Sequence, residues 1–210
     1  VVDLQLNPDN PITQTRSFGD QVDQVIRMSE QFVKGFLQYQ ILPVIKHFPG
    51  DGVDNRDHHL LPSVNSLSFP EWLATYGKVY KTLIDQGAPC IMAGHILLPD
   101  YERTQFPDIA DHEIKPATLS SHLLKGLLRR QLGFNGLIIT DASTMGGFNS
   151  FYPRKQAVVE TIKAGCDVLL FTTDVAEDYQ SVYQAAEIGE ISAARLNEAL
   201  VRILGAKAML

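Results

Sequence analysis

Apolar positions fall along the chain in two alternating rhythms. Short continuous apolar runs are separated by longer stretches in which apolar residues recur every three to four positions. These are the patterns of a buried strand and of an amphipathic helix. The first run is VVDLQL at 1–6. Residues 20–39 carry Val22, Val25, Ile26, Met28, Phe32, Val33, Phe36 and Leu37 at helical spacing. ILPVI at 41–45 predicts a second strand, with Pro43 weighing against a central place in a sheet. A polar loop spans 46–67. Ser68, Pro70 and Glu71 then supply an N-cap, a first-turn proline and the glutamate of a capping box. The helix they start runs to 86 and is closed by Gly87. Further strands are predicted at 88–93, 136–140 and 167–171. Further helices are predicted at 119–132, 153–164, 176–188 and 193–209.

Continuous apolar strands separated by helices specify a parallel sheet covered on both faces. Five β/α units follow one another with no linker and no break in composition, which predicts one α/β domain over 1–210. The count fits a doubly wound open sheet or part of a barrel. A closed (β/α)8 barrel needs three more strands and typically about 250 residues.

Composition narrows the partners. Of 210 residues, 45% are hydrophobic and 20% charged, enough apolar surface to bury a core. A formal net charge of −6, with no Lys/Arg cluster, argues against a nucleic-acid partner. No apolar run approaches the ~20 residues that span a bilayer, so no membrane partner is expected. Cys90 and Cys166 sit in apolar runs and read as small buried hydrophobes.

In parallel α/β folds, ligands bind beyond the carboxyl ends of the strands. Polar and titratable residues gather there. Asn7, Asp9, Asn10 and Arg16 follow the first strand, and Lys46, His47, Asp51, Asp54, Asp57, His58 and His59 the second. Gly94 and His95 follow the third, Asp141, Ser143 and Met145 the fourth, and Thr172, Thr173 and Asp174 the fifth. Lys46 and His47 can donate hydrogen bonds to the hydroxyls of a polar ligand, or simply face solvent at a turn. Asp57 and His59 are two apart, so a loop can bring them into contact as a carboxylate-oriented general acid/base; the alternative is a solvated polar loop. Asp141, at the end of a rigid apolar strand, can serve as nucleophile, base or metal ligand, or as the N-cap of a helix. Arg16 can bind a hydroxyl or pair with a loop aspartate. His95 is either a site residue or a hydrogen-bonded core histidine.

These residues also resemble a known family. Lys46-His47-Phe48-Pro49-Gly50-Asp51-Gly52, followed by Asp57-x-His59, is similar to the signature of family 3 glycoside hydrolases. It is closest to their β-N-acetylglucosaminidase, NagZ-like branch, the bacterial enzymes of peptidoglycan recycling. Arg16-Ser17-Phe18-Gly19, Met92-x-x-His95, Gly133-Phe134-x-Gly136-Leu137-Ile138-x-Thr140-Asp141 and Met145-Gly146 match in family order. The resemblance implies a TIM-like (β/α)8 barrel, of which this chain would contain the last five or so β/α units, the N-terminal ones being missing. It implies a retaining exo-β-N-acetylglucosaminidase acting on a small carbohydrate, without cofactor or metal, in the cytoplasm. Asp141 would be the nucleophile that forms a glycosyl-aspartate. His59 would be the acid/base and Asp57 its orienting partner, in place of the second carboxylic acid that retaining glycosidases usually set ~5–5.5 Å away. Arg16, Lys46, His47, His95 and Met145 would contact substrate.

The chain departs from the pattern in carrying Asp51 where many members have His, and in a loop before Pro62 that is one residue shorter. His58 is an alternative acid/base. Other expectations are a phosphorylase or β-glucosidase of the same family, and a sugar-binding domain without catalysis. A metal-dependent hydrolase using His47, His59, His95 and Asp141 is a further one.

Overall fold

The computed structural model describes all residues from Val1 to Leu210. The chain runs through α1 (Val22–Gln38), β1 (Val44–Phe48), β2 (Ser63–Val64) and a long helical segment. That segment comprises α2 (Phe69–Trp72), a π-helical turn (Leu73–Gly77) and α3 (Lys78–Asp85). There follow β3 (Cys90–Ala93), β4 (Ile96–Leu97), α4 (Pro99–Gln105) and a π-helical stretch His122–Gln131. The chain ends with β5 (Leu137–Ala142), α5 (Gly146–Asn149), α6 (Arg154–Ala164), β6 (Val168–Leu170), α7 (Val175–Glu187) and α8 (Ala193–Ala208). The predicted capping box forms: Ser68 Oγ accepts from Glu71 N while the Glu71 carboxylate accepts from Ser68 N.

The main sheet has the order β1-β3-β5-β6, and every neighbouring pair is parallel. Strands lie side by side in the order in which the chain makes them. A doubly wound sheet would reverse its order at a switch point, so the winding is that of a TIM-like barrel. No helix is long and apolar enough to cross a membrane.

Two sequence expectations need correction. Residues 1–6 run alongside β1 but form no ladder, and the sheet has four strands rather than five. Only Val2 N bonds across, to Lys46 O at 2.8 Å. The reason is Asp3, whose side chain takes the place of backbone pairing: its Oδ1 accepts from His47 N at 3.0 Å and Asp51 N at 2.9 Å. The second strand also starts later than 41–45. Pro43 precedes it, and Lys46 and His47 lie within its carboxyl half instead of after it. A small parallel sheet, β2 with β4, went unanticipated, since two-residue strands have no periodicity to read.

The core lies where the α2–α3 segment covers the sheet. Trp72, Tyr76 and Tyr80 recur every fourth residue, so they share one helix face. All three are fully buried, with Phe48 packed edge-on against Trp72 and Tyr80. The polar tips of Trp72 and Tyr76 pin the chain on either side of the turn after β1. Trp72 Nε1 donates to Pro49 O at 2.8 Å, and the Tyr76 hydroxyl lies 2.6 Å from Asp51 O and 3.2 Å from Leu4 O. Gly50 has φ +122°, and a Cβ there would sit 2.1 Å from the Tyr76 ring, so this turn requires glycine.

Removing the Tyr76 hydroxyl leaves the buried Asp51 carbonyl without its donor. Tyr76→Phe is expected to lower unfolding free energy by about 1–3 kcal/mol, read from the denaturant midpoint. An unchanged midpoint would show that this hydroxyl contributes nothing to the fold.

Candidate active site

Asp141 stands at the carboxyl end of β5, its side chain 13% exposed. Its Oδ1 accepts from Ala142 N at 2.7 Å. Its Oδ2 is faced by two imidazoles, His47 Nε2 at 3.8 Å and His58 Nε2 at 3.7 Å. Burial pushes the carboxyl upward, but His47 and the Ala142 amide outweigh it and hold Asp141 below the usual carboxylate range. It is therefore an anion on a rigid strand, facing the open end of the sheet.

His47 comes from β1 and is buried. Its Nδ1 lies 2.7 Å from Asp3 Oδ2, which fixes the ring so that Nε2 points toward Asp141. Asp3 is wholly buried and still lies below its ordinary range, because His47 and the amides of His47 and Asp51 overcome the cost of burial. Asp3 escaped sequence reasoning. The available signal was a charge inside an apolar run, VVDL.

The loop after β1 carries the remaining titratable groups. The Lys46–His47 and Phe48–Pro49 peptide bonds at its root are cis. Asn10 Nδ2 donates to Asp51 Oδ1 at 2.8 Å and to Asp54 O at 2.6 Å. Asn65 Nδ2 donates to Gly50 O at 3.1 Å. At the far end the loop is seated on the turn after β5: Gly146 N donates to His59 O at 2.7 Å and Gly147 N to His58 O at 3.3 Å. A Cβ on Gly146 would fall 2.1 Å from Leu60 O, and one on Gly147 2.6 Å from His58 O. Only glycines allow this seating.

On the loop, Asp57 Oδ1 lies 2.9 Å from His59 N and 2.6 Å from His59 Nδ1. The two side chains are in contact. The His59 ring is 53% exposed, and its Nε2 has no partner in the chain. Burial nudges Asp57 upward, but both contacts from His59 bring it below its ordinary range. His58 turns the other way. Wholly buried, its ring sits 5.2 Å from those of His47 and His59. Burial, then the neighbouring His47, push it down to about 3, which disfavours its imidazolium. Asp51 is pushed up to about 6 by burial and by the charge of Asp3.

The other predicted residues divide. Arg16 is exposed on a turn held by Ser17 Oγ, which donates to Asp3 O at 2.7 Å. Lys46 is half-buried. Neither side chain forms an ion pair or hydrogen bond within the chain, so both keep free donors. His95 does not. Its Nδ1 is 3.0 Å from Thr118 Oγ1 and its Nε2 3.0 Å from Ala142 O, and burial pushes it down to about 4. With both nitrogens engaged, its place is in the packing under Asp141 rather than against a ligand. Met145 is buried at the start of α5.

The whole length of the chain is similar to known proteins. Residues 1–206 match the family described as "Glycosyl hydrolase family 3 N terminal domain". The chain is 46% identical over 210 residues to a "Beta-N-acetylglucosaminidase/beta-glucosidase" of Cellulomonas fimi, covering 100% of the chain and 37% of that protein. It superposes on "Beta-glucoside phosphorylase BglX bound to 2FGlc" with a TM-score of 0.97 at 44% identity, covering 99% of the chain and 37% of that structure. A family 3 β-N-acetylglucosaminidase from Paenibacillus sp. str. FPU-7 gives a TM-score of 0.90 at 29% identity, over 99% of the chain and 38% of that structure. The chain thus spans a little over a third of the length of each of these relatives.

The buried groups set a pH dependence of stability. Below about 6.5 the unfolded chain protonates two histidines that the fold keeps neutral, His58 to about 3 and His95 to about 4, so stability falls as pH falls. Asp51, raised to about 6, works oppositely, taking up a proton in the fold before it does so in the unfolded chain. The two histidines outweigh the one aspartate, so stability falls on balance between pH 6 and 4.5. Denaturant midpoints across that interval check this; stability rising on acidification would contradict it.

Proposed function

The chain belongs to glycosyl hydrolase family 3, and on that footing we propose that it bears the catalytic centre of a retaining β-N-acetylglucosaminidase. What carries the proposal is the Asp57–His59 pair, at 2.6 Å, on a loop seated against the turn that follows Asp141. It pairs an oriented, exposed acid/base with an ionised carboxylate on a rigid strand.

In the first half-reaction the Asp141 carboxylate attacks the anomeric carbon. The bond to the leaving oxygen breaks as His59 Nε2–H gives that oxygen its proton. Asp57 accepts from Nδ1–H throughout, which keeps Nε2 as the reacting nitrogen and stabilises the imidazolium. In the second half-reaction neutral His59 takes a proton from water, whose oxygen attacks the anomeric carbon and returns Asp141 as a carboxylate. Two displacements at one carbon retain the β configuration. His47, locked by Asp3, faces the nucleophile from below. Arg16 and Lys46 supply the free donors for sugar hydroxyls. The N-acetylglucosaminidase relatives support a terminal β-linked N-acetylglucosamine as the glycone. The NagZ-like resemblance supports cell-wall fragments as the substrate class and a cytoplasmic recycling setting.

A second reading has one specific support, the likeness to a β-glucoside phosphorylase. A histidine acid/base carries no negative charge to repel an incoming phosphate, so phosphate in place of water can attack the glycosyl-aspartate.

The test is nitrophenol release from the β-N-acetylglucosaminide and the β-glucoside, with and without phosphate. Phosphate-independent release from the acetamido sugar supports the hydrolase, and acceleration by phosphate supports the second reading. No release from either sugar by folded protein would sink both. Asp141→Ala is expected to abolish turnover while leaving the fold intact. His59→Ala is expected to cost about 10²–10⁴-fold on a poor leaving group and much less on nitrophenol, which needs no protonation. Equal losses on both would remove His59 from the acid role.

A further inference from the structure

We propose that a basic cavity between the His122–Gln131 segment and α8 binds the phosphate group of a small molecule, and that Glu198 is the carboxylate this group displaces. The cavity measures about 410 Å³, within the range that takes small ligands. Lys125, Arg129, Arg130, Arg195 and Arg202 line it, with Glu198 the one acid among them. The Asp167 side chain lies beneath, wholly buried. It holds Arg129 Nη2 at 2.8 Å and Arg195 Nη2 at 2.7 Å, with Arg202 Nη1 at 3.5 Å. Five cations thus face two carboxylates, in a chain whose net charge is −6. Lys125 and Arg130 form no ion pair or hydrogen bond within the chain. Burial, then the Arg195 charge, hold the Lys125 ammonium below its usual range. Gly136 and Asp167, which accept from Arg129, precede β5 and β6. The cavity therefore lies at the amino end of the sheet, opposite Asp141.

The independent observation is a pair of buried donors without acceptors. Arg195 is 6% exposed, and its Nη1 has no hydrogen-bond partner; neither has Arg202 Nε. Buried donors are normally satisfied, and an exception calls for an acceptor. Glu198 faces both side chains but stands off. Its Oε2 is 3.6 Å from Arg195 Nη1 and 3.8 Å from Arg202 Nη1, beyond hydrogen-bond reach. The Glu198 side chain is 57% exposed, so it can swing into water. A carboxylate offers two oxygens in one plane. A phosphate monoester offers three, tetrahedrally placed, with up to two charges, and the guanidinium fork matches it. Two of its oxygens can serve Arg195 and Arg202 while the third takes Lys125, the charge that Glu198 leaves unpaired.

This site does not depend on the function proposed above. The intact protein is titrated by calorimetry with inorganic phosphate and with glucose 6-phosphate, at constant ionic strength because such contacts are screened by salt. Lys125 and Glu198 are both exposed, so replacing either leaves the fold in place. Lys125→Gln should weaken binding by about tenfold, the loss of one hydrogen bond to a charged group. Glu198→Gln should tighten it by about threefold or more, because it removes the competing negative charge. A purely structural role for these residues would not produce shifts of opposite sign. Tighter binding of the ester would identify a phosphorylated small molecule as the ligand, and equal binding the free ion; both keep the site. No binding of either probe would overturn it. So would an affinity that neither variant shifts, since the anion would then sit elsewhere, including beside Asp141.

Discussion

A carboxylate with no exposure survives in a protein interior only when it is paired and hydrogen-bonded. Asp3 meets that condition through two backbone amides and one imidazole, and much of the site depends on it. Its oxygens join three pieces of chain: the N-terminal stretch, the end of β1 and the start of the long loop. The Asp3 backbone carbonyl also receives Ser17 Oγ, which ties in the turn bearing Arg16. One buried negative charge thereby sets the ring of His47 and the course of the chain from His47 to Asp51. An apolar side chain at position 3 would leave two buried amides and one imidazole without their acceptor.

Four of the six histidines crowd one end of the sheet, and environment alone tells them apart. His47 is held by a carboxylate. His95 is satisfied by a hydroxyl and a carbonyl. His58 is buried and unsatisfied. His59 is exposed and oriented. The same side chain is thus an anchored ring, a packing element, an unpartnered buried ring and an exposed, oriented one within a few rings' breadth. The difference lies in what stands behind Nδ1 and how much water reaches Nε2.

Features that depend on near neighbours were legible in the sequence. The apolar run ending in Asp141 is continuous, and its strand formed where the pattern put it, extended to Ala142. The Asp57–His59 pair is legible because its partners are two residues apart. Features that depend on distant partners were not legible. His58 earns its interest from Asp51 and Asp141, and nothing at positions 57–59 reveals that its ring turns inward while the next turns out. Residues 1–6 looked like a strand because four of the six are apolar; of the two polar ones, Asp3 was the informative one. The β2–β4 pairing needs only two residues from each partner and leaves no trace in periodicity.

The seating of the long loop on Gly146 and Gly147 uses main-chain atoms alone. The Leu60 carbonyl packs against Gly146, but Leu60 and Leu61, at the loop's crest, are 72% and 57% exposed. Attachment and outer surface are therefore separable. The crest can exchange its side chains while the histidine beside it stays in register, so the loop behaves as a replaceable cassette. Diversification of what the crest touches can proceed, in nature or in a library, without reopening the contact between Asp57 and His59.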